Sequence, residues 1–142
     1  GWLVVPDTLA AQLEKVIEYN FSCMFEPVQR AAAAALIHGE DHIKSERKKL
    51  TSNHHLLAKS LRSIEGVSVP DTGGAMYTFF KVDGQNDSVE FAKQLVNAVG
   101  LGLAPGSAFG TEGNGWLRWC HAVDKQKLTA GIERFSKYMG KR

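Results

Sequence analysis

The spacing of hydrophobic residues changes along this chain. Before about residue 65 they recur at three- and four-residue intervals, which is the period of one helix face. This period predicts a helix beginning near Asp7 and a second from Glu26 to Gly39, where proline in the first turn and an alanine run both favour a helix. A third, longer helix is predicted from Asp41 to about Ile64, with a narrow apolar stripe on a mostly polar surface.

After Gly66, short runs of β-branched and aromatic residues alternate with helical patterns. Helices are predicted to begin at Ser88 and after Asp124. We therefore expect an α/β, two-layer fold: a small sheet of about three to four strands covered by helices, preceded by long connecting helices. The predicted strands are Leu3–Val5, Val67–Pro70, Met76–Val82, Leu101–Ala104 and Trp116–Ala122.

The same pattern predicts three segments. Residues 1–25 hold a short apolar strand and one helix, residues 26–65 are connecting helices, and residues 66–142 form a small C-terminal domain. We expect the last segment to be the compact one, because the strands and the amphipathic helices that can cover them lie there.

Composition and charge narrow the function classes. The chain has 142 residues, 44% of them hydrophobic and 23% charged, and a net charge of +2, which is ordinary for a globular domain. Its basic residues are spread along the chain, so nucleic acid is not an expected partner. The uncharged stretch Gln94–Thr111 is broken by glycine, proline, asparagine and serine, so a membrane span is not expected, and neither is a secretory leader.

Histidines and cysteines give no catalytic or metal-binding pattern. His38 and His42 are separated by a helix-breaking glycine, and the order His-Glu-x-x-His is absent, so no metal site is predicted. The adjacent pair at positions 54 and 55 is expected on the surface. Cys23 and Cys120 lie far apart and are expected to be buried thiols in a reducing compartment.

Arg118 is the one charged residue in the apolar run Trp116–Ala122. An arginine in such a strand either lies on the solvent face of an edge strand or binds a planar anion, because burying its charge without a partner is costly. A carboxylate matches the guanidinium with two parallel hydrogen bonds.

The loop before this strand is rich in glycine, at positions 106, 110, 113 and 115. No Gly-Lys-Ser/Thr follows, so the loop is not a phosphate loop, and its glycines indicate a site edge that can bend or close. Ser107 either faces a ligand or turns the loop, and Tyr77 is either a core aromatic or part of a site wall.

Taken in order, these motifs resemble the C-terminal part of pyridoxal-phosphate-dependent aminotransferases of class I/II, the aspartate-aminotransferase-like, fold type I family. The resemblance covers essentially the whole chain. The motifs that carry it are Gly1-Trp2, the helix start Phe25–Ala32, the segment Gly73–Phe79 with one residue more than usual before Tyr77, the loop Pro105–Gly110, and Arg118 four residues before Ala122.

The resemblance implies that the full-length enzyme moves an amino group between an amino acid and a 2-oxo acid, with pyridoxal phosphate as cofactor. It implies that Arg118 binds the substrate α-carboxylate, and it places Gly74 and Tyr77 in a possible site wall. A cytoplasmic homodimer is also implied. The loop implied to support the substrate site contributes Pro105, Gly106, Ser107, Phe109 and Gly110.

In this family the lysine that binds the cofactor lies upstream of the position matched by Gly1, so the resemblance implies no catalytic residue within the chain. The chain is then expected to be inactive by itself. Trp119, Cys120 and His121 differ from the smaller aliphatic or aromatic residues usual in the family, so the substrate side chain stays open.

Two other functions fit the same resemblance. Some transcription regulators carry an aminotransferase-like domain that binds an effector without turnover. Other relatives use the same cofactor for lyase chemistry such as β-elimination, to which an α-carboxylate arginine is equally suited.

Overall fold

Strict alternation of buried and half-buried residues along two strands defines the central sheet. The structure is a computed structural model and describes residues 1–140. Four strands pair antiparallel in the order β1-β2-β4-β3. They are β1 (Val67–Ser68), β2 (Tyr77–Val82), β3 (Ala104–Pro105) and β4 (Trp116–Cys120).

Five helices are described: α1 (Asp7–Phe21), α2 (Glu26–His38), α3 (Glu40–Arg62), α4 (Ser88–Val99) and α5 (Lys125–Met139). The predicted α/β small-sheet fold, with long helices before it, is confirmed. The helix α4 begins where Asp87 caps it, because the Asp87 carboxylate accepts hydrogen bonds from the amides of Val89 and Glu90, both at 3.0 Å.

Contacts divide the chain into two compact units, Gly1–Lys44 and a second that begins at Ser45. In the first unit, α1 and α2 bury no residue, although they carry many large apolar side chains. In the second unit, one face of the sheet is covered by α4, α5 and the C-terminal half of α3. The core residues are Leu57, Leu61, Phe80, Val82, Phe91, Ala92, Leu95, Leu101, Leu117, Trp119, Leu128, Ile132 and Phe135.

Two predicted strands differ from the structure: the first is absent, and another lies further along the chain than predicted. Residues 1–6 form no strand, because no described strand lies beside Leu3–Val5 to take up its backbone hydrogen bonds. The third strand is Ala104–Pro105 instead of Leu101–Ala104. Gly100 ends α4 in the left-handed conformation with φ +64°, and the Leu101 amide then donates to the Leu95 carbonyl, which takes that residue out of the sheet.

The expectation that Cys23 and Cys120 are buried is wrong, because both thiols are exposed. Cys120 is the last residue of β4 and pairs with Tyr77 on the uncovered face of the sheet. Cys23 lies between α1 and α2, where no residue is buried.

The three-segment organisation stays a prediction, and limited proteolysis tests it. We expect early cuts before about Glu26 and a resistant C-terminal core, because helices that bury no residue open locally more easily than a packed sheet. Mass spectrometry of the fragments over time measures this, with Lys141 and Arg142 of the third segment outside the described residues. First cleavage within β2, β4 or α5 would contradict it.

Candidate functional site

Arg118 lies at the centre of the uncovered face of the sheet. Because β4 is flanked by β2 and β3, it is not an edge strand, and Arg118 pairs with Phe79 on one side and Ala104 on the other. Strand alternation places its side chain opposite the core, where it is half-buried. The edge-strand alternative therefore does not apply.

Two aromatic rings sandwich the Arg118 guanidinium. Its central carbon lies 4.1 Å from the centre of the Tyr77 ring and 3.9 Å from the centre of the Phe109 ring. Such contacts attract the cation to the ring faces and restrict the side chain. Phe109 also packs edge-on against Phe79, with ring centres 5.7 Å apart.

No hydrogen bond or ion pair engages this guanidinium within residues 1–140. A guanidinium has five N–H donors in a planar fork, and ring faces do not use them up. The two rings thus hold the Arg118 side chain in place, and its N–H donors are available to a ligand. The ligand that matches a planar, charged fork is a carboxylate or another planar anion.

The loop Pro105–Gly110 carries Phe109 to Arg118 and is fixed by close backbone packing. Residues Gly106–Phe109 form a 3₁₀ turn. A Cβ atom at Gly106 would lie 2.8 Å from the Trp116 carbonyl oxygen and would overlap the Gly113 carbonyl, so only glycine fits there. Gly110, at φ +125°, lets the chain leave this turn.

Ser107 belongs to the support of this loop. The buried Ser88 hydroxyl donates to the Ser107 hydroxyl at 3.0 Å and accepts from the Ser107 amide at 3.3 Å. The Asn114 side-chain oxygen accepts from the Ser88 and Gly115 amides, at 3.3 and 3.1 Å. These bonds connect the start of α4 to the loop, and Ser107 holds the loop in shape.

The two residues predicted for the site wall, Gly74 and Tyr77, do not lie in one place. Tyr77 lies against Arg118, but Gly74 lies in an exposed turn that borders an open groove of about 500 Å³, whose lining does not include Arg118. The turn also contains Ala75 at φ +66°, a left-handed conformation that is uncommon for a residue with a side chain.

Sequence reasoning missed a polar cluster behind the sheet. Thr78 and His121 are fully buried, and the Thr78 hydroxyl lies 3.1 Å from His121 Nδ1 and 3.3 Å from His54 Nδ1. The expected surface position of His54 is wrong, since it is half-buried, while His55 is exposed. The signal was present in the spacing, because position 54 continues the buried stripe of Leu57 and Leu61 along α3.

This environment alters the titration of His121. Burial lowers the pKa of the imidazole below its ordinary value of 6.5, the neighbouring His54 lowers it further, and a backbone hydrogen bond at Ala75 opposes both effects. Burial and the neighbouring His54 therefore both favour the neutral form of His121 in the folded protein.

Within residues 1–140 no group of three or more histidine, cysteine or acidic side chains is placed to hold a metal ion. His38 and His42 lie at the end of α2 and in the first turn of α3, and both are exposed. None of the described helices is long and apolar enough to cross a membrane.

The model of the family described as aminotransferase class I and II matches residues 1–135. The chain belongs to this family. Arg118, the Pro105–Gly110 loop and the small antiparallel sheet all lie within the matched residues.

Individual relatives agree with the family. The chain is 30% identical, over its whole length, to the probable N-acetyl-LL-diaminopimelate aminotransferase of Bacillus subtilis (strain 168), and 28% identical, over 96% of its length, to the aspartate aminotransferase of Pyrococcus horikoshii. It spans 36% of each of these relatives. The solved aromatic aminotransferase of Pyrococcus horikoshii OT3 superposes with a TM-score of 0.89 at 27% identity, covering 98% of this chain and 38% of that one.

The described lysines do not fit the cofactor-binding role. A lysine that reacts with an aldehyde cofactor is held in a pocket that lowers its pKa. Of the lysines within residues 1–140, only Lys81 is half-buried and the others are exposed.

Proposed function

We propose that this chain is part of a pyridoxal-phosphate-dependent aminotransferase that moves an amino group between an amino acid and a 2-oxo acid, and that Arg118 binds the substrate α-carboxylate. One observation supports the role of Arg118. Its guanidinium is held between Tyr77 and Phe109, and none of its N–H donors is engaged by a described residue. Measuring kcat/KM in the complete enzyme with Arg118 replaced tests it.

The geometry assigns each group a task. Two parallel hydrogen bonds from Arg118 fix both oxygens of the carboxylate and hence the orientation of the adjacent Cα. The two rings keep the guanidinium from swinging towards water, so little of its rotamer freedom is lost when substrate binds. The cofactor, when bound, supplies the electron-withdrawing ring that makes the Cα proton removable.

The loop Pro105–Gly110 adds a movable wall. Its Phe109 ring is 49% exposed and covers one side of Arg118, while the Ser88–Ser107 contact anchors the base of the loop. A loop anchored at its base and open at its tip can shield the bound carboxylate from water. Phe109 then both positions the arginine and excludes solvent.

Several parts of the proposal concern the complete protein. The cofactor lysine, a homodimeric assembly and a cytoplasmic location are what the family resemblance implies, and the relatives named above support the enzyme over an effector-binding domain because they are aminotransferases by name. The lyase alternative is not favoured by any particular contact in the structure.

The 142-residue chain by itself should neither turn over amino acids nor form a stable lysine adduct with pyridoxal phosphate. Exposed lysines are protonated at neutral pH and react weakly and without selectivity. Adding the cofactor, reducing with borohydride and mapping the label by mass spectrometry measures this. Lys81→Arg is the control, because Lys81 is the half-buried lysine. One lysine labelled stoichiometrically, with turnover, would overturn the expectation.

A further inference from the structure

The Thr78 hydroxyl joins two imidazoles. His54 Nδ1 and His121 Nδ1 lie 3.3 and 3.1 Å from the same Oγ1 atom, and the ring centres are 5.3 Å apart. A hydroxyl carries one proton, so it donates to only one of these nitrogens and accepts from the other. Two neutral histidines can therefore satisfy this arrangement only if they adopt opposite tautomers at Nδ1.

His121 also ties together three segments of the chain. Its amide donates to the Met76 carbonyl at 3.0 Å, one residue beyond the last pair of the β2–β4 ladder. Asn53 on α3 donates to the His121 and Val123 carbonyls, at 3.0 and 2.8 Å.

These hydrogen bonds involve the two neighbours of Tyr77 in the chain, and Tyr77 contacts Arg118. Tyr77 lies between Met76 and Thr78, and its ring stacks on the guanidinium. The strained turn before Tyr77 has no buried residue of its own between positions 71 and 76, so packing does not hold it. Hydrogen bonds hold it instead: Arg62 donates to the Asp71 carboxylate at the start of this segment, and the His121 amide donates to the Met76 carbonyl at its end.

We propose that His54, Thr78 and His121 form a proton-sensitive latch, in which neutral His121 accepts from Thr78, His54 donates to Thr78, and the closed latch holds the Gly73–Met76 turn and thereby positions Tyr77 against Arg118. His121 is a positioning residue that acts through Tyr77. The consequence for substrate binding rests on the proposed function, whereas the latch itself does not.

Protonation opens the latch. A protonated His121 loses the lone pair that accepts from Thr78, which leaves the hydroxyl proton without its acceptor at a buried position. The titratable and charged groups that line the groove over His121 are Arg47, His54 and His55, all from α3, and the turn Thr72–Met76 contributes no ionisable side chain. Arg47 carries a positive charge, and His54 also disfavours the charged form of His121, so charge repulsion adds to the lost hydrogen bond.

The direction of the pH effect follows. An unfolded histidine titrates near pH 6.5, and His121 in the folded protein titrates lower. The stabilisation by the neutral latch is therefore fully present above about pH 6.5 and is lost as the pH falls from there towards the folded pKa.

Two nuclear magnetic resonance measurements on the 142-residue chain test the proposal. Long-range ¹H–¹⁵N spectra of the imidazoles at about pH 7.5 should show the Nε2–H tautomer for His121 and the Nδ1–H tautomer for His54. Hydrogen exchange of the His121 amide, corrected for its intrinsic pH dependence, should be faster at pH 5 than at pH 7.5, because the folded pKa of His121 lies below that of an unfolded histidine. Amides between Phe80 and Leu117 in the same ladder should keep their protection.

Matched variants separate the latch from general stability. Thr78→Val keeps the shape but removes the hydroxyl, so the His121 amide should exchange fast at both pH values, and Thr78→Ser should restore the wild-type behaviour. His42→Asn changes an exposed histidine in the first turn of α3, outside the lining of the groove over His121, and should have no effect. The proposal fails if both histidines show the same tautomer, or if Thr78→Val protects the His121 amide as wild type does. Neither result would touch the assignment of Arg118, which only the kinetics of the complete enzyme can overturn.

Discussion

Replacing Arg118 with leucine in the complete aminotransferase should lower kcat/KM for every amino-acid substrate by a similar factor. The loss should correspond to about 3–5 kcal/mol, or between roughly a hundredfold and a few thousandfold, as when one partner of a desolvated charged pair is removed. The factor should be uniform because every substrate carries the same α-carboxylate. Arg118→Lys should also lose most of the activity, because an ammonium cannot form two parallel hydrogen bonds.

Steady-state kinetics with several amino acids measure this effect, and cofactor absorbance is recorded on the same samples. Cofactor content should be unchanged, since Arg118 is assigned to the substrate and not to the cofactor. Arg134→Leu is a matched control, because Arg134 is exposed on α5 and makes one long bond, 3.4 Å, to the Gly100 carbonyl. Loss of the cofactor with intact substrate affinity would show that the assignment is wrong.

Replacing Phe135 with alanine should have the largest effect on folding. Phe135 is fully buried, and its ring meets those of Phe80 and Trp119 edge-on, with centres 5.4 and 6.0 Å away. Truncating a buried aromatic residue removes its transfer free energy and leaves a cavity, so the free energy of unfolding should fall by about 3–5 kcal/mol. Phe80 on β2 and Trp119 on β4 lose their common neighbour at once.

Urea unfolding followed by tryptophan fluorescence measures this loss, because Trp116 and Trp119 lie in β4. Ile37→Ala is the control, since it also shortens an apolar side chain, but one that is 71% exposed on α2. Its effect should stay within about 0.5 kcal/mol. Equal losses for the two variants would mean that the core of the second unit is not the main source of stability.

Hydrophobic spacing predicted most of the elements. The period of the helices and the alternation along β2 and β4 are local properties, and caps such as Asp87 and Gly100 mark their ends. Local pattern failed at Leu3–Val5, which has the composition of a strand but no described neighbour to pair with. A strand is defined by its partner, and composition alone does not reveal one.

The candidate site, like the fold, was predicted from the sequence only in part. Sequence alone singled out Arg118 and the Pro105–Gly110 loop, because a charge in an apolar strand and a cluster of glycines are visible without coordinates. It left Tyr77 between core and site wall, and it assigned His54 to the surface. Only the β2–β4 register and the packing of α3 place Tyr77 on the guanidinium and His54 on Thr78.

What the sequence determined by itself is therefore most of the elements, the family motifs and the arginine that we propose as the carboxylate-binding residue. Tertiary structure decided which side chains surround that residue, because the ring of Phe109 and the ring of Tyr77 come from segments 32 residues apart and meet only through strand pairing and the loop. It also decided the protonation of His121, since burial and a second histidine 67 positions away set its pKa. Contacts across such distances depend on the register and packing of whole elements, which no local pattern encodes.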